Sequence, residues 1–357
     1  MYRFIRIRGL RGIDDCQIDG LGRVNLFTGL NGAGKTTILE AINIHAKPLD
    51  PGIVLELDAL RTGQRARVSG STSIVRNLPW GQLFGHGSKG AGQFTIDALL
   101  DKDAWGVTVH SSGLTSDIQS VDDSASDSTS STFSTPIGEL NLSCLYQNES
   151  FERDVVAFSN GAIDFSRPRK AKLPVPELNV LRTSVGNSNA QRLADQYSSL
   201  LGTDAEITVL SAAKTIDPRI SRLAVSTAGS SSSLRADIGH GQLFDLPLIS
   251  DGLTRVVTAA LGIAQCRDGA FLIDEFENGV YYGVLEQTWQ DLYTIASRTN
   301  VQLFATTHSM ECVEAASRAI GADLNVFRID RSDGLLDVRR FDDKRTNAAI
   351  ANAIDLR

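Results

Sequence analysis

The segment GLNGAGKT, residues 29–36, constrains this chain more than any other. It fits the pattern G-x-x-x-x-G-K-[ST]. It also lies between an apolar run, RVNLFTG, and a stretch with helical apolar spacing, TTILEAINIHA. Gly29, Gly32 and Gly34 let the backbone turn tightly, so that its N–H groups converge on phosphate oxygens. A helix beginning near Lys35 aims the positive end of its dipole at the same point. Lys35 brings a charge for the β- and γ-phosphates, and Thr36 brings a hydroxyl for Mg²⁺. The expected nucleotide-binding run is Asn31, Gly32, Ala33, Gly34, Lys35, Thr36 and Thr37. A helix is expected over residues 35–46, ended by Pro48 and Pro51.

A phosphate cradle of this kind needs a carboxylate for the metal shell and a base for water. AFLIDE, residues 270–275, is an apolar strand ending in both. Asp274 is expected to hold the Mg²⁺ shell, and Glu275 to polarise the attacking water. Two carboxylates at the end of a buried strand are costly unless they have work to do there. Lys35 and Asp274 stand 239 positions apart, so a long segment is inserted between the two halves of one site. Loop-closure entropy grows only logarithmically with length, which makes the excursion tolerable.

Around these motifs the chain changes texture. YRFIRIR alternates like a half-exposed strand, followed by a turn at Gly20 and Gly22. Within residues 48–185, FTIDALL, WGVTVHS, GELNLSCLYQ, DVVAFSN and GAIDFSR read as antiparallel strands, the last two joined by an Asn160–Gly161 turn. Residues 111–135 are dominated by Ser, Thr and Asp and are expected to be a mobile loop. Residues 167–177 look like an extended linker. AQRLADQYSSLLG and DAEITVLSAAKTI are amphipathic helices of a small lobe, residues 186–242, which closes on a short hairpin, SLRADIG with QLFDLPL. From 243 onwards helices and near-continuous apolar strands alternate, as in a mostly parallel sheet covered by helices.

Two weaker signals complete the order. LISDGLTR, residues 248–255, opens a helix, and Ser250, Asp251 and Gly252 there form either a plain N-cap or a second anion site. One phosphate chain cannot readily use two helix starts of one protomer, so the second site implies a partner's nucleotide. ATTHS, residues 305–309, ends another apolar strand with His308 within reach of a γ-phosphate. P-loop, long insertion, S-D-G before a helix, D-E strand and T-H-S strand end together resemble the ABC-type ATPase heads of structural-maintenance-of-chromosomes and RecF-like proteins. Nearest are the AAA-labelled ATPases related to the overcoming-lysogenization-defect (OLD) proteins. The similar stretches run from FIRIRGLRGIDD to TTILEAI, then LISDGLTRVVTAALGIA, FLIDEFENGVYYGVLEQTW and LFATTHSMECVEAA, with KTIDPRISRLAV as a further segment.

The resemblance implies an α/β P-loop NTPase: an ABC-type head from residues 1–47 and 243–357, with N-terminal antiparallel strands and an inserted α+β segment. It implies ATP and Mg²⁺ as cofactors, and a homodimer or higher homo-oligomer in which Ser250–Gly252 clasps the facing protomer's γ-phosphate. His308 matches the switch histidine. Glu277, Asn278 and Gly279 match an interface loop, and Arg255 is a weaker interface candidate. The glutamine loop has no clear match; Gln147 is the metal-ligand candidate and Gln82 its alternative. OLD-type proteins usually carry a C-terminal Toprim nuclease, whereas this chain ends at IDLR, so no nuclease activity is expected.

Partners remain open at this level. The net charge of −7 does not favour strong nonspecific DNA binding. Three basic clusters, Arg3/Arg6/Arg8/Arg11, Arg61/Arg65/Arg67 and Arg167/Arg169/Lys170/Lys172, read first as solvated faces. No apolar run approaches the roughly 20 residues that span a bilayer, nor does the N-terminus hold a signal-peptide core. Four scattered cysteines without a C-x-x-C pair suggest free thiols. The chain is expected to be cytoplasmic. The choices are a sensor or regulator of a prokaryotic defence or toxin system with a separate effector protein, a RecF-like DNA-repair ATPase, and a transporter's nucleotide-binding subunit.

Overall fold

The computed structural model describes residues 1–62, 80, 83–84, 91–112, 136–158, 163–165, 178–183, 190–229, 231–239, 241–332 and 335–357. The expected Ser-rich loop (apart from its first two residues), the linker at 167–177, the Asn160–Gly161 turn, Gln82 and the basic residues Arg65, Arg67, Arg167, Arg169, Lys170 and Lys172 lie outside them. The chain divides into two units: Met1–Phe4, Ile18–Leu39 and Leu178–Arg357 form one, and Ile5–Gln17 with Glu40–Glu177 the other.

The first unit is built on a six-stranded sheet. Its strands are β3 (Val24–Thr28), β9 (Val180–Thr183), β13 (Ala270–Ile273), β14 (Gln302–Thr306), β15 (Leu324–Ser332) and β16 (Leu335–Phe341), in the order β16-β15-β3-β14-β13-β9. All neighbours are parallel except β15 with β16. β3, β13 and β14 are buried along their whole length. They therefore carry continuous Val, Leu, Ile and Phe rather than alternation, as helices on both faces require. Two polar residues are admitted because they are satisfied. Asn25 in β3 bonds Gly22 and Leu303. Gln302 in β14 bonds both backbone groups of Tyr2, which fixes the N-terminus to the sheet.

The register aligns the strand ends that matter. Ile273 pairs with Ala305 and with Thr183, and Thr306 pairs with Phe27. The segments after β3, β13 and β14 thus leave the sheet at one carboxyl edge, where α/β sheets place ligand sites. Helices α3 (Ala190–Ser198), α4 (Asp204–Ile216), α6 (Asp251–Gln265), α7 (Leu285–Arg298) and α8 (Met310–Ile320) share one apolar core with the sheet. This places residues 190–216, expected in a separate lobe, in the same unit as the P-loop. A second sheet of this unit, β10 (Arg222–Ala228), β11 (Ser231–Asp237) and β12 (Leu243–Asp245), is antiparallel. Of the expected SLRADIG–QLFDLPL hairpin, Leu246–Ile249 instead form a one-turn helix, α5, which Pro247 near its start favours.

Within α6, Gly262 packs directly on Phe271, and a methyl there would collide with that fully buried ring. Gly262→Ala gains about 1 kcal/mol of helix propensity, but overpacking a rigid core costs up to ~3 kcal/mol. It is expected to lower stability by ~1–2 kcal/mol, read as a lower urea midpoint at unchanged slope.

The second unit holds most of a seven-stranded sheet, β2-β1-β4-β5-β6-β7-β8. Its members are β1 (Tyr2–Leu10), β2 (Ile13–Asp19), β4 (Ala91–Leu100), β5 (Ala104–Ser112), β6 (Pro136–Tyr146), β7 (Glu149–Phe158) and β8 (Ile163–Phe165). The pairs from β4 to β8 are antiparallel. The first helix, α1 (Lys35–Ala46), ends as expected, but Pro51 starts a further helix, α2 (Pro51–Thr62), rather than only closing α1. The N-terminal basic cluster is largely neutralised: Arg6 pairs with Asp15, Arg8 with Asp97, and Arg11 with buried Glu40. All four cysteines are buried free thiols. No described helix is long and apolar enough to cross a membrane.

Candidate nucleotide site

The loop between β3 and α1 is shaped by its glycines. Gly29 has φ 139°, and any Cβ there would strike the carbonyl of Ile329 in the neighbouring strand. Lys35 is buried and folds back into the loop, its Nζ donating to the carbonyls of Gly29 (2.6 Å) and Leu30 (3.0 Å). Burial lowers the Lys35 pKa, against the opposing pull of Asp274, Glu275 and Glu277. An ammonium held in such a place, with acids on one side, is short of anionic partners. Ala33 and Thr37 are buried supports of the turn, whereas Leu30 and Asn31 are exposed at its tip.

Thr36, one residue on, donates through Oγ1 to Asp274 Oδ1 at 3.1 Å. Thr306, the last residue of β14, donates to the same oxygen at 2.7 Å. Arg182 on β9 pairs through Nη2 with Asp274 Oδ2 at 3.3 Å. The P-loop hydroxyl and the acidic strand end, 238 residues apart in sequence, therefore meet. Among the described residues no group of three or more His, Cys, Asp or Glu could by itself hold a metal. One carboxylate and one hydroxyl are nevertheless the donor set that suits Mg²⁺, which keeps waters and takes its remaining ligands from phosphates.

Glu275 follows with φ 50°, a left-handed backbone that costs of order 1–3 kcal/mol outside glycine and concentrates at functional sites. Surrounding bonds hold it there. Its N–H donates to Thr306 Oγ1, and Arg255 Nη1 donates to the carbonyls of Asp274 (3.2 Å) and Glu275 (3.1 Å). Arg255, expected at an interface, thus braces the acidic strand end of its own protomer. Asn278 Nδ2 donates to Glu275 Oε2 at 2.5 Å. His308 lies just beyond β14, half-exposed, with Nδ1 2.9 Å from Glu277 Oε1.

Ser250 is the N-cap of α6, its Oγ accepting from Leu253 N at 3.0 Å, with Asp251 and Gly252 in the first turn. In the single protomer this segment serves its own helix, and it stands on a different helix start from the P-loop. Gln147, read from sequence as a metal-ligand candidate, belongs to the second unit, at the β6–β7 turn with φ 50°, and donates to Tyr146 Oη. Arg182 and Thr306 received no role from sequence. The strand that carries Arg182 is only four residues long, too short for a periodicity to announce it.

Residues 145–314 match a family profile described as "AAA domain, putative AbiEii toxin, Type IV TA system", and residues 5–44 match a second, described as "AAA domain". Both profiles describe AAA domains, so these two stretches are similar to AAA ATPase sequences. A 42-residue stretch is 50% identical to the DNA replication and repair protein RecF of Cellvibrio japonicus (strain Ueda107). That stretch is 12% of this chain and 12% of the relative. Similar solved structures include an Smc head bound to the C-winged helix domain of ScpA (TM-score 0.49, 11% identity, 96% of this chain and 97% of that one). Another is a Pyrococcus furiosus Smc head with an extended coiled coil, bound to the C-terminal domain of ScpA (TM-score 0.49, 10% identity, 99% of each chain). The P-loop, acidic strand end and T-H-S strand end of this chain lie on one sheet edge.

Proposed function

We propose that this chain binds and hydrolyses ATP and that two copies close head to head on the nucleotide. The observation that carries this is the convergence of Lys35, Thr36, Asp274 and Glu275, while Ser250–Gly252 sits on a separate helix start. Bound Mg²⁺, held by Thr36 and Asp274, would neutralise charge between the β- and γ-phosphates. Lys35 exchanges two loop carbonyls for phosphate oxygens. Glu275 accepts the proton of the attacking water as the new P–O bond forms and the bond to ADP breaks. Ser250–Gly252 of one copy supplies N–H groups to the γ-phosphate on the other. ATP is then a cross-link, and hydrolysis opens it, because ADP lacks the group that favours the closed state.

Exposed apolar side chains support a pairing face. Leu30 is in the P-loop, Leu248 just before Ser250, and Tyr281 and Tyr282 just after the E-N-G loop, and all four are well exposed. Light scattering tests the reading. Mass is expected to double with ATP and Mg²⁺, to stay single with ADP, and to stay single for Ser250→Arg. An unchanged mass at saturating ATP would remove the pairing.

The switch is read as the ATPase sensor or regulator of a prokaryotic defence or toxin system, acting through a separate effector. The toxin-system description of the family matched over 145–314 supports it. The short RecF match favours a second reading, a DNA-repair ATPase. DNA-stimulated turnover with a steep salt dependence would select that one.

A further inference from the structure

Glu277, Asn278 and Gly279, just beyond the acidic strand end, link the site's parts to one another. Glu277 Oε1 accepts from the backbone N of His308 at 2.9 Å and lies 2.9 Å from its Nδ1. The Glu277 side chain is 10% exposed, and its other oxygen is buried without a hydrogen-bond partner. Beneath it lies buried Cys312, whose thiol is pushed up to about 12, first by burial and then by the Glu277 charge. A buried carboxylate committed on one side to a single histidine is not a solvated surface acid. The next residue, Asn278, holds Glu275. The one after, Gly279 (φ 77°), lies with its carbonyl directly against Gly252, leaving no room for a Cβ there.

We infer that Glu277 is the positioning residue of His308, set in a loop that ties the Ser250–Gly252 segment to both groups of the reaction. With its carboxylate oxygen 2.9 Å from Nδ1, Glu277 favours the tautomer that carries the proton there and leaves Nε2 as the nitrogen offered to substrate. By accepting from the backbone N, it fixes the histidine's loop to its own. Movement of α6 is transmitted through the Gly252–Gly279 contact to Glu277 and Asn278, and so to His308 and Glu275 together. This rests on the proposed ATPase reading for its consequence but not for its geometry.

Two near-isosteric variants separate positioning from charge. Glu277→Gln keeps an acceptor at the same reach and loses the charge. Glu277→Asp keeps the charge and retracts the acceptor by one methylene. Positioning by the placed oxygen predicts that Glu277→Asp lowers kcat about 10-fold or more with KM within about 3-fold, since a displacement near 1 Å is enough. Glu277→Gln is expected to stay within about 3-fold of the wild type. Nitrogen NMR of histidine-labelled protein should show His308 with Nδ1 protonated in the wild type and Glu277→Gln, and mixed tautomers in Glu277→Asp. Asp behaving like the wild type while Gln is impaired would overturn the inference, as would a His308 signal indifferent to both. The NMR result stands even if the wild type hydrolyses nothing, in which case the ATPase reading fails and the pairing does not.

Discussion

Lys35→Ala is expected to abolish nucleotide binding without weakening the fold. The two halves of that result have one cause. Lys35 is desolvated, and its bonds are to two backbone carbonyls, neither of which carries a full charge. Its pKa is lowered by burial. A depressed lysine pKa means that the unfolded chain holds the proton more tightly, so stability rises with pH between the lowered value and the ordinary one near 10.5. At neutral pH the fold therefore bears a cost to keep this ammonium charged. A triphosphate removes that cost by supplying the missing anion. Truncating one partner of a buried, hydrogen-bonded charge pair costs 2–5 kcal/mol or more, and ~30-fold in affinity is the lower bound expected here. Fluorescent-nucleotide titration should show no saturable binding, and ATP should no longer raise the melting temperature. The melting temperature without nucleotide should equal or exceed that of the wild type. A variant that melts earlier would mean that the lysine holds the loop together rather than waiting for phosphate. One that still binds ATP would move the cradle elsewhere.

The parts of this site that could be read from sequence are those whose chemistry fixes spacing over a few residues. Gly29 to Thr36 is a local device, and so is an apolar strand ending in Asp274–Glu275. Each is legible because backbone geometry and carboxylate burial leave few substitutes. The parallel sheet was legible for the same reason, since β3, β13 and β14 are buried on both faces and cannot hide polar alternation. What could not be read was set by neighbours distant in sequence. Arg182 matters only because β9 pairs in register with β13, and four residues give no sign of that. Arg255 is spaced like any helix residue, and only the fold turns it toward the carbonyls of Asp274 and Glu275. Pro51 was read as a stop when it is equally a start, because a helix loses nothing by having proline in its first turn.

Glu275→Gln should separate binding from turnover. Glutamine preserves what the structure asks of this side chain except its basicity. It has the same length, and its carbonyl oxygen can still accept from Asn278 Nδ2, which now meets Glu275 Oε2. The bonds that hold the strained backbone involve Thr306 and Arg255 and do not touch the side chain at all. Glu275→Ala would be a poorer test, since it strips the Asn278 contact and frees the loop that reaches Gly252. With geometry kept, the loss is that of a general base, typically 10²–10⁴ in rate. Single-turnover hydrolysis is expected to slow by roughly two orders of magnitude or more, with nucleotide affinity within about 3-fold of the wild type. Because the closed state then outlives the measurement, the doubled mass should persist after free ATP is removed, where the wild type returns to single heads. Undiminished turnover would show that another group takes the proton from water. Slowed turnover with no persistent pairing would show that hydrolysis here does not govern the association of two heads.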